Sequence, residues 1–290
     1  MTSCHQTIGR ASLWLAAGML LAGCVGLPSR APEVVRAPTV VTQQRIDRLV
    51  ALATAEWARW GRKVVRVDTA MPTCLVQVDL ACVEVEDGCG DEQSSAYCPL
   101  VHAYWQAVPP GTSLHSCGLV DVCDVAWPSN DARTPEHTRP WSAVFISSIV
   151  KKAGFSATEF WPSMSHAGYI VPSRMLHTSA FEVVPTPAEV AVGDIVCATR
   201  GETQLTPDQL DAIQDGNHSP PLHCDIAVGV DESSRTLSVV GGNVQQTVAR
   251  SDIALDSDGR LTFVAGASRP WILVLRPRRA GLDQRNAASH

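Results

Sequence analysis

Ser142, His166, His223, Asp225 and Asn243 are the residues of this chain whose types and spacing could support proton transfer. Ser142 follows Pro140-Trp141 and opens a run, Ala143 to Val150, whose apolar residues recur at roughly helical spacing. Pro140 suits a helix entry, where its fixed φ is tolerated and its missing N–H costs nothing. Lys151 and Lys152 complement the negative end of the helix dipole, and Gly154 fits the C′ stop. A hydroxyl in the first turn of such a helix meets free backbone N–H groups and the positive dipole end. Ser142 is therefore either an N-cap, for which Ser is a preferred residue, or a group facing whatever binds there. His166 falls in the first turn of a second, shorter helix that the pattern carries to Met175, with Ser163 or Ser165 as its cap.

The other three residues sit on a predicted hairpin. His223 to Val230 and Thr236 to Asn243 read as antiparallel strands joined by the five residues 231–235. With Val230 opposite Thr236, His223 falls opposite Asn243, and directly opposed residues have Cβ atoms about 5 Å apart. Asp225, two residues on, shares the face of His223. A slip of one residue would send the pair to opposite faces. His223-Cys224 is not a chelating pair, because adjacent strand residues point apart. No C-x2-C with a matching second pair suggests zinc, so no metal or cofactor is expected.

The elements that must position these groups change period along the chain. Residues 43–62 carry Ile46, Leu49, Val50, Ala53, Trp57 and Trp60 on one helical face. Val64 to Val67 and Leu75 to Val78 alternate like short strands, and Val101 to Val108 suggests a short helix. These last two lie within a cysteine-bearing insertion, 72–130. Val190 to Ala198 reads as a turn entering a strand, 201–221 as a polar excursion, and Trp271 to Leu275 as a last apolar strand. Helices first and antiparallel strands after them predict an α+β domain over 43–275, followed by a disordered tail, 276–290.

The first residues read as an export signal. Arg10 precedes the apolar run Ala11 to Ala22, too short to span a bilayer as a mature helix. It ends in Leu21-Ala22-Gly23-Cys24, which matches a bacterial lipoprotein box. Residues 1–23 are then a signal peptide, Cys24 the lipidated first residue, and the proline-bearing stretch 24–42 a tether contributing no core. Val25, in place of the Asp that resembles an inner-membrane retention signal, points to the outer membrane, facing the periplasm. Of ten cysteines, Cys4 leaves with the signal and Cys24 takes lipid, which leaves eight. An even number in an exported protein predicts disulfides. A formal net charge of −6, mixed in sign, gives no reason to expect nucleic acid as a partner.

Taken together, Trp141-Ser142-Ala143-x-Phe145 opening a helix, a strand starting at His223, and Gly242-Asn243 ending the next resemble the CHAP and NlpC-type papain-like amidases. More closely, Pro140-Trp141-Ser142-Ala143-x-Phe145-Ile146-Ser147, Ser165-His166-Ala167-x-Tyr169-Ile170, Gly193-Asp194-x-Val196-Cys197, His223-Cys224-Asp225-Ile226 and Gly241-Gly242-Asn243 resemble the bacterial domain of unknown function 2272. The resemblance covers about residues 43–275 and implies a papain-like domain with N-terminal helices packed on an antiparallel sheet. It implies Ser142 as nucleophile, His223 as base and Asn243 as the orienting residue, with Trp141, His166 and Tyr169 on the substrate side.

Ser142 stands where those amidases carry Cys. A thiol gains anionic character from a helix N-terminus and a nearby His, whereas a hydroxyl needs proton removal in the transition state and a carboxylate to stabilise the imidazolium. Asp225 is the candidate for that charge. The leading expectation is a hydrolase of amide or ester bonds at the cell envelope, with peptidoglycan as substrate by analogy. The alternative is a catalytically silent envelope protein that keeps the cleft for binding. Cys197, ending one strand, and Cys224, opening the next, lie opposite the site face and are expected to pair. Cys117 with Cys123 is the second expected pair, and Cys74, Cys82, Cys89 and Cys98 pair among themselves.

Overall fold

A computed structural model describes residues 39–67, 74–78, 81–85, 96–109, 140–201, 204–214 and 219–279. The elements run α1 (Gln43–Arg59), β1 (Val64–Val65), β2 (Cys74–Val78), β3 (Ala81–Val85), α2 (Cys98–Trp105), α3 (Ser142–Lys152) and α4 (Ala167–Met175). The second half adds β4 (Phe181–Pro185), β5 (Ala188–Glu189), β6 (Ile195–Thr199), β7 (Leu222–Asp231), β8 (Thr236–Gly241), β9 (Ala249–Ala254), β10 (Arg260–Leu261) and β11 (Trp271–Pro277), with a 3-10 turn at Pro207–Ala212. This is an α+β fold.

One nine-stranded sheet runs β3-β2-β1-β9-β8-β7-β6-β11-β4, and β10-β5 forms a separate ribbon. Every pair in the large sheet is antiparallel except β1 with β9. The middle strands read as near-continuous apolar runs because both faces are covered. On one face α1 and α3 pack against β7 and β8, with Leu49, Ile146, Ile149, Ile226 and Val240 in a common core. On the other, Val196, Ala227, Val239 and Val274 pack with Ala188 of β5 and Leu261 of β10. No helix among the described residues is long and apolar enough to cross a membrane.

The chain's ends correct two expectations. Val41 is fully buried and pairs with Arg279, so the stretch before Gln43 does contribute to the core. Strand β11 continues to Pro277, and Arg278 N donates to Ala180 O, so the tail does not begin at Arg276. The expected insertion is also partly integral: β2 extends the sheet, and Leu100, Val101 and Tyr104 of α2 lie in the helix-side core. Cys24, Cys89, Cys117 and Cys123 fall outside the described residues.

Cys197 and Cys224 are directly opposed on β6 and β7 and form a disulfide, with Cα atoms 4.2 Å apart. Both sulfurs belong to the helix-side core, and by alternation His223 and Asp225 take the other face.

Candidate active site

Helix α3 is buried from Ser142 through Val150, because it lies between α2 and the sheet. Its first intrahelical bond runs from Phe145 N to Trp141 O, which leaves the N–H groups of Ser142, Ala143 and Val144 without helical partners. Trp141 anchors this end in an aromatic stack, its ring 5.4 Å from Trp60 and 5.7 Å from Tyr104. Gly242 permits the close approach of the chain leaving β8: a Cβ there would fall 2.5 Å from Phe145 Cβ and 2.7 Å from Trp141 Cζ3.

The Ser142 side chain does not cap the helix. Its Oγ lies 2.7 Å from His166 Nε2, and the far nitrogen of that ring, Nδ1, meets the Tyr169 hydroxyl. His166 reaches this position because the loop before α4 is fastened to α3. Ser147 Oγ donates to Ser163 O at 3.0 Å and accepts from Ser163 N at 3.0 Å, and Ser163 Oγ accepts from Ser165 N. A polar side chain inside an apolar helix thus serves as a two-point clamp. Burial holds the His166 pKa well below the ordinary 6.5, and the charges of His223 and Arg200 act in the same direction. Burial likewise pushes the Tyr169 phenol well above 10. At neutral pH the ring is uncharged and able to accept a proton. In the tautomer with Nδ1–H donating to Tyr169, the Ser142 hydroxyl donates to Nε2.

A second polar group sits behind this pair. His223 Nε2 donates to Asp225 Oδ1 at 2.8 Å, and Arg269 Nη1 donates to Asp225 Oδ2 at 3.0 Å. The His166 and His223 rings are 5.8 Å apart between centroids. Burial brings the His223 pKa down to about 4 against the opposing pull of Asp225, so this ring is neutral too. Burial raises the Asp225 pKa, but His223 and Arg269 outweigh it and hold the carboxyl below its ordinary range. Gly241 makes the room: a Cβ there would lie 1.6 Å from Asp225 Oδ1.

A cavity of about 390 Å³ opens onto Ser142, His166 and Ala143, walled by Met164, Arg200 and Leu222 among others. Among the described residues no group of three or more His, Cys, Asp or Glu is placed to hold a metal ion.

The structure therefore brings together Ser142 with His166, and His223 with Asp225, but not Ser142 with His223. The expected opposition of His223 and Asn243 also fails. The hairpin closes with Asp231 opposite Thr236, and a bulge between Ala227 and Gly229 restores the anticipated register at Ile226–Val240. That is the last β7–β8 pair. Strand β8 ends at Gly241, and Asn243 lies beyond it with a left-handed φ of 54°. Among the described hydrogen bonds none joins Asn243 to His223, and Asp225 is the partner of that ring instead. Trp141 and Tyr169, expected on the substrate side, are core residues at 1% and 0% exposure. Sequence reasoning missed Ser147, Arg200 and Arg269. The signals were faint: a Ser in a buried apolar helix, and Arg residues flanking fully apolar strands.

The arrangement is that of an α+β protein with a Ser-His pair at a buried helix N-terminus. A family model described as an uncharacterized protein conserved in bacteria, DUF2272, matches residues 98–277, and the chain belongs to that family. No curated protein and no solved structure matches it.

Proposed function

We propose that this protein is a serine-dependent hydrolase of amide or ester bonds, with Ser142 as nucleophile and His166 as general base. The observation that carries this reading is the 2.7 Å contact between Ser142 Oγ and His166 Nε2 in the wall of a cavity. Nucleophile–base hydrogen bonding of this kind is the geometric mark of an activated hydroxyl. The Ser142 proton passes to Nε2 as Oγ attacks the carbonyl carbon. The carbonyl oxygen gains negative charge beside the first-turn N–H groups of α3, which have no helical partner. His166 returns the proton to the leaving amine or alcohol, and water then repeats the sequence on the acyl-serine. Tyr169 fixes the ring orientation through Nδ1.

The layering supports kinship with the papain-like amidases: a helix opening on the nucleophile and packed against an antiparallel sheet. The base differs in origin, since it comes from the start of α4 and not from a strand. We further propose that the protein is a lipoprotein anchored through Cys24 in the outer membrane and facing the periplasm, where peptidoglycan is the substrate class at hand.

One observation favours a second reading, a cleft that binds without turnover. His166 has a neutral phenol behind it, while the nearest charged carboxylate, Asp225, is bonded to His223. A hydroxyl nucleophile gains much from a carboxylate behind the base. Incubating the protein with peptidoglycan and a panel of activated esters, beside Ser142→Ala, separates the two. Release of product that disappears in Ser142→Ala supports the hydrolase; equal release from both proteins, or none, removes it.

A further inference from the structure

Arg200 projects into the same cavity, and nothing in the serine-histidine chemistry uses it. It follows directly on β6, and its backbone N donates to Pro221 O at 2.8 Å, which holds it beside another residue of the cavity wall. Its guanidinium has no hydrogen bond or ion pair among the described residues. Among the described residues the charges around it do not balance. Asp225 is the one carboxylate among the described residues acting on it, and both oxygens of Asp225 are already taken, by His223 and by Arg269. With both histidines neutral, one aspartate faces two arginines, and the surplus positive charge is the one that lines the cavity. The first-turn N–H groups of α3, which have no helical partner, add positive potential at Ser142 and Ala143 in the same cavity lining.

A half-buried guanidinium without a partner is costly, and the group that relieves it in a cavity of this size is an anion with planar oxygens. We infer that Arg200 is a specificity-determining residue that binds a carboxylate of the substrate, so that the molecules taken are peptides or related amides with a free carboxylate near the bond that meets Ser142. This rests on the cavity being the substrate site, but not on turnover there.

Binding separates the inference from the catalytic reading. N-acetyl-alanyl-alanine and its C-terminal amide differ only in the carboxylate, and calorimetry with the Ser142→Ala protein measures each without hydrolysis. The carboxylate form should bind at least about tenfold more tightly, the scale of one charge-assisted hydrogen bond. Arg200→Gln in the same background should bring the ratio close to one, and Arg200→Lys should restore part of it. Equal binding of the two probes, no binding of either, or a preference that survives Arg200→Gln would overturn the inference. The comparison on the Ser142→Ala protein decides alone if Arg200→Gln does not fold. A carboxylate preference without any Ser142-dependent turnover would leave this inference standing and remove the hydrolase.

Discussion

Ser142 Oγ and His166 Nε2 lie 2.7 Å apart although one residue opens α3 and the other is the N-cap of α4. The bond exists because Ser147, inside α3, holds the backbone of Ser163 from both its N–H and its C=O side. A second serine of α3 thus positions His166 against the serine that opens the same helix.

The glycines after β8 carry distinct loads. Gly242→Ala would drive a methyl into Phe145 and Trp141, and the resulting overpacking should cost about 1–3 kcal/mol, read as a lower Tm. Gly241→Ala would instead collide with Asp225 and should disturb the His223–Asp225–Arg269 group. An unchanged Tm in both variants would mean that the close packing of this turn is not maintained in solution.

The hydrolytic rate should hold its acid limb well below the ordinary histidine range. His166 is neutral because burial depresses its pKa, so base strength is present above the lowered value and lost only beneath it. A limb at or above the ordinary histidine value of about 6.5 would contradict that environment. Stability follows the same sign for both rings: full above about pH 6.5 and lost as pH falls. For His223, moving from 6.5 to about 4, this is on the order of 3 kcal/mol. Asp194, raised to about 6 by burial, acts in the opposite sense, favouring the fold as pH falls. Tm should therefore drop more steeply between pH 6.5 and 4 in Asp194→Asn than in the native protein.

The cross-strand disulfide should contribute to stability. Cys197 and Cys224 are 27 residues apart, and closing a loop of that length restricts the unfolded chain by about 3 kcal/mol. Replacing both with Ala should lower the denaturation midpoint accordingly. A midpoint unchanged by the double replacement would show that the bond is not formed.

How much of this was legible varies with range. The helix opening at Ser142 could be read from Pro140, the apolar spacing and Gly154, and the β6–β7 cysteine pair from the strands that bracket it. These are local patterns. The pairing of His166 with Ser142 was not legible, because a His at the start of a short helix looks like any hydrogen-bonding residue until Ser147 is seen to hold Ser163. The Asn243 expectation rested on a ladder running on to Asn243, and the end of β8 at Gly241 removed it. Strands β4 and β9 were missed, since Glu182 and Pro185 in one, and Arg250 and Asp252 in the other, blur the alternation.

Cys24 should govern location and nothing else. Cys24→Ala is expected to move the protein from the membrane fraction to the soluble one while its Tm stays unchanged, because the folded body is tied in from Thr39 and Val41 onward. Continued sedimentation with membranes would show that something other than lipid on Cys24 holds it.

The central claim is that His166, and not His223, activates Ser142. Labelling the protein with a fluorophosphonate, which captures nucleophilic hydroxyls, and reading the adduct by peptide mass tests it directly. The adduct should appear on Ser142, fall by about 100-fold or more in His166→Ala, the scale of general-base catalysis, and persist at a reduced rate in His223→Gln. Labelling of Ser142 that survives His166→Ala unchanged but vanishes in His223→Gln would contradict the account.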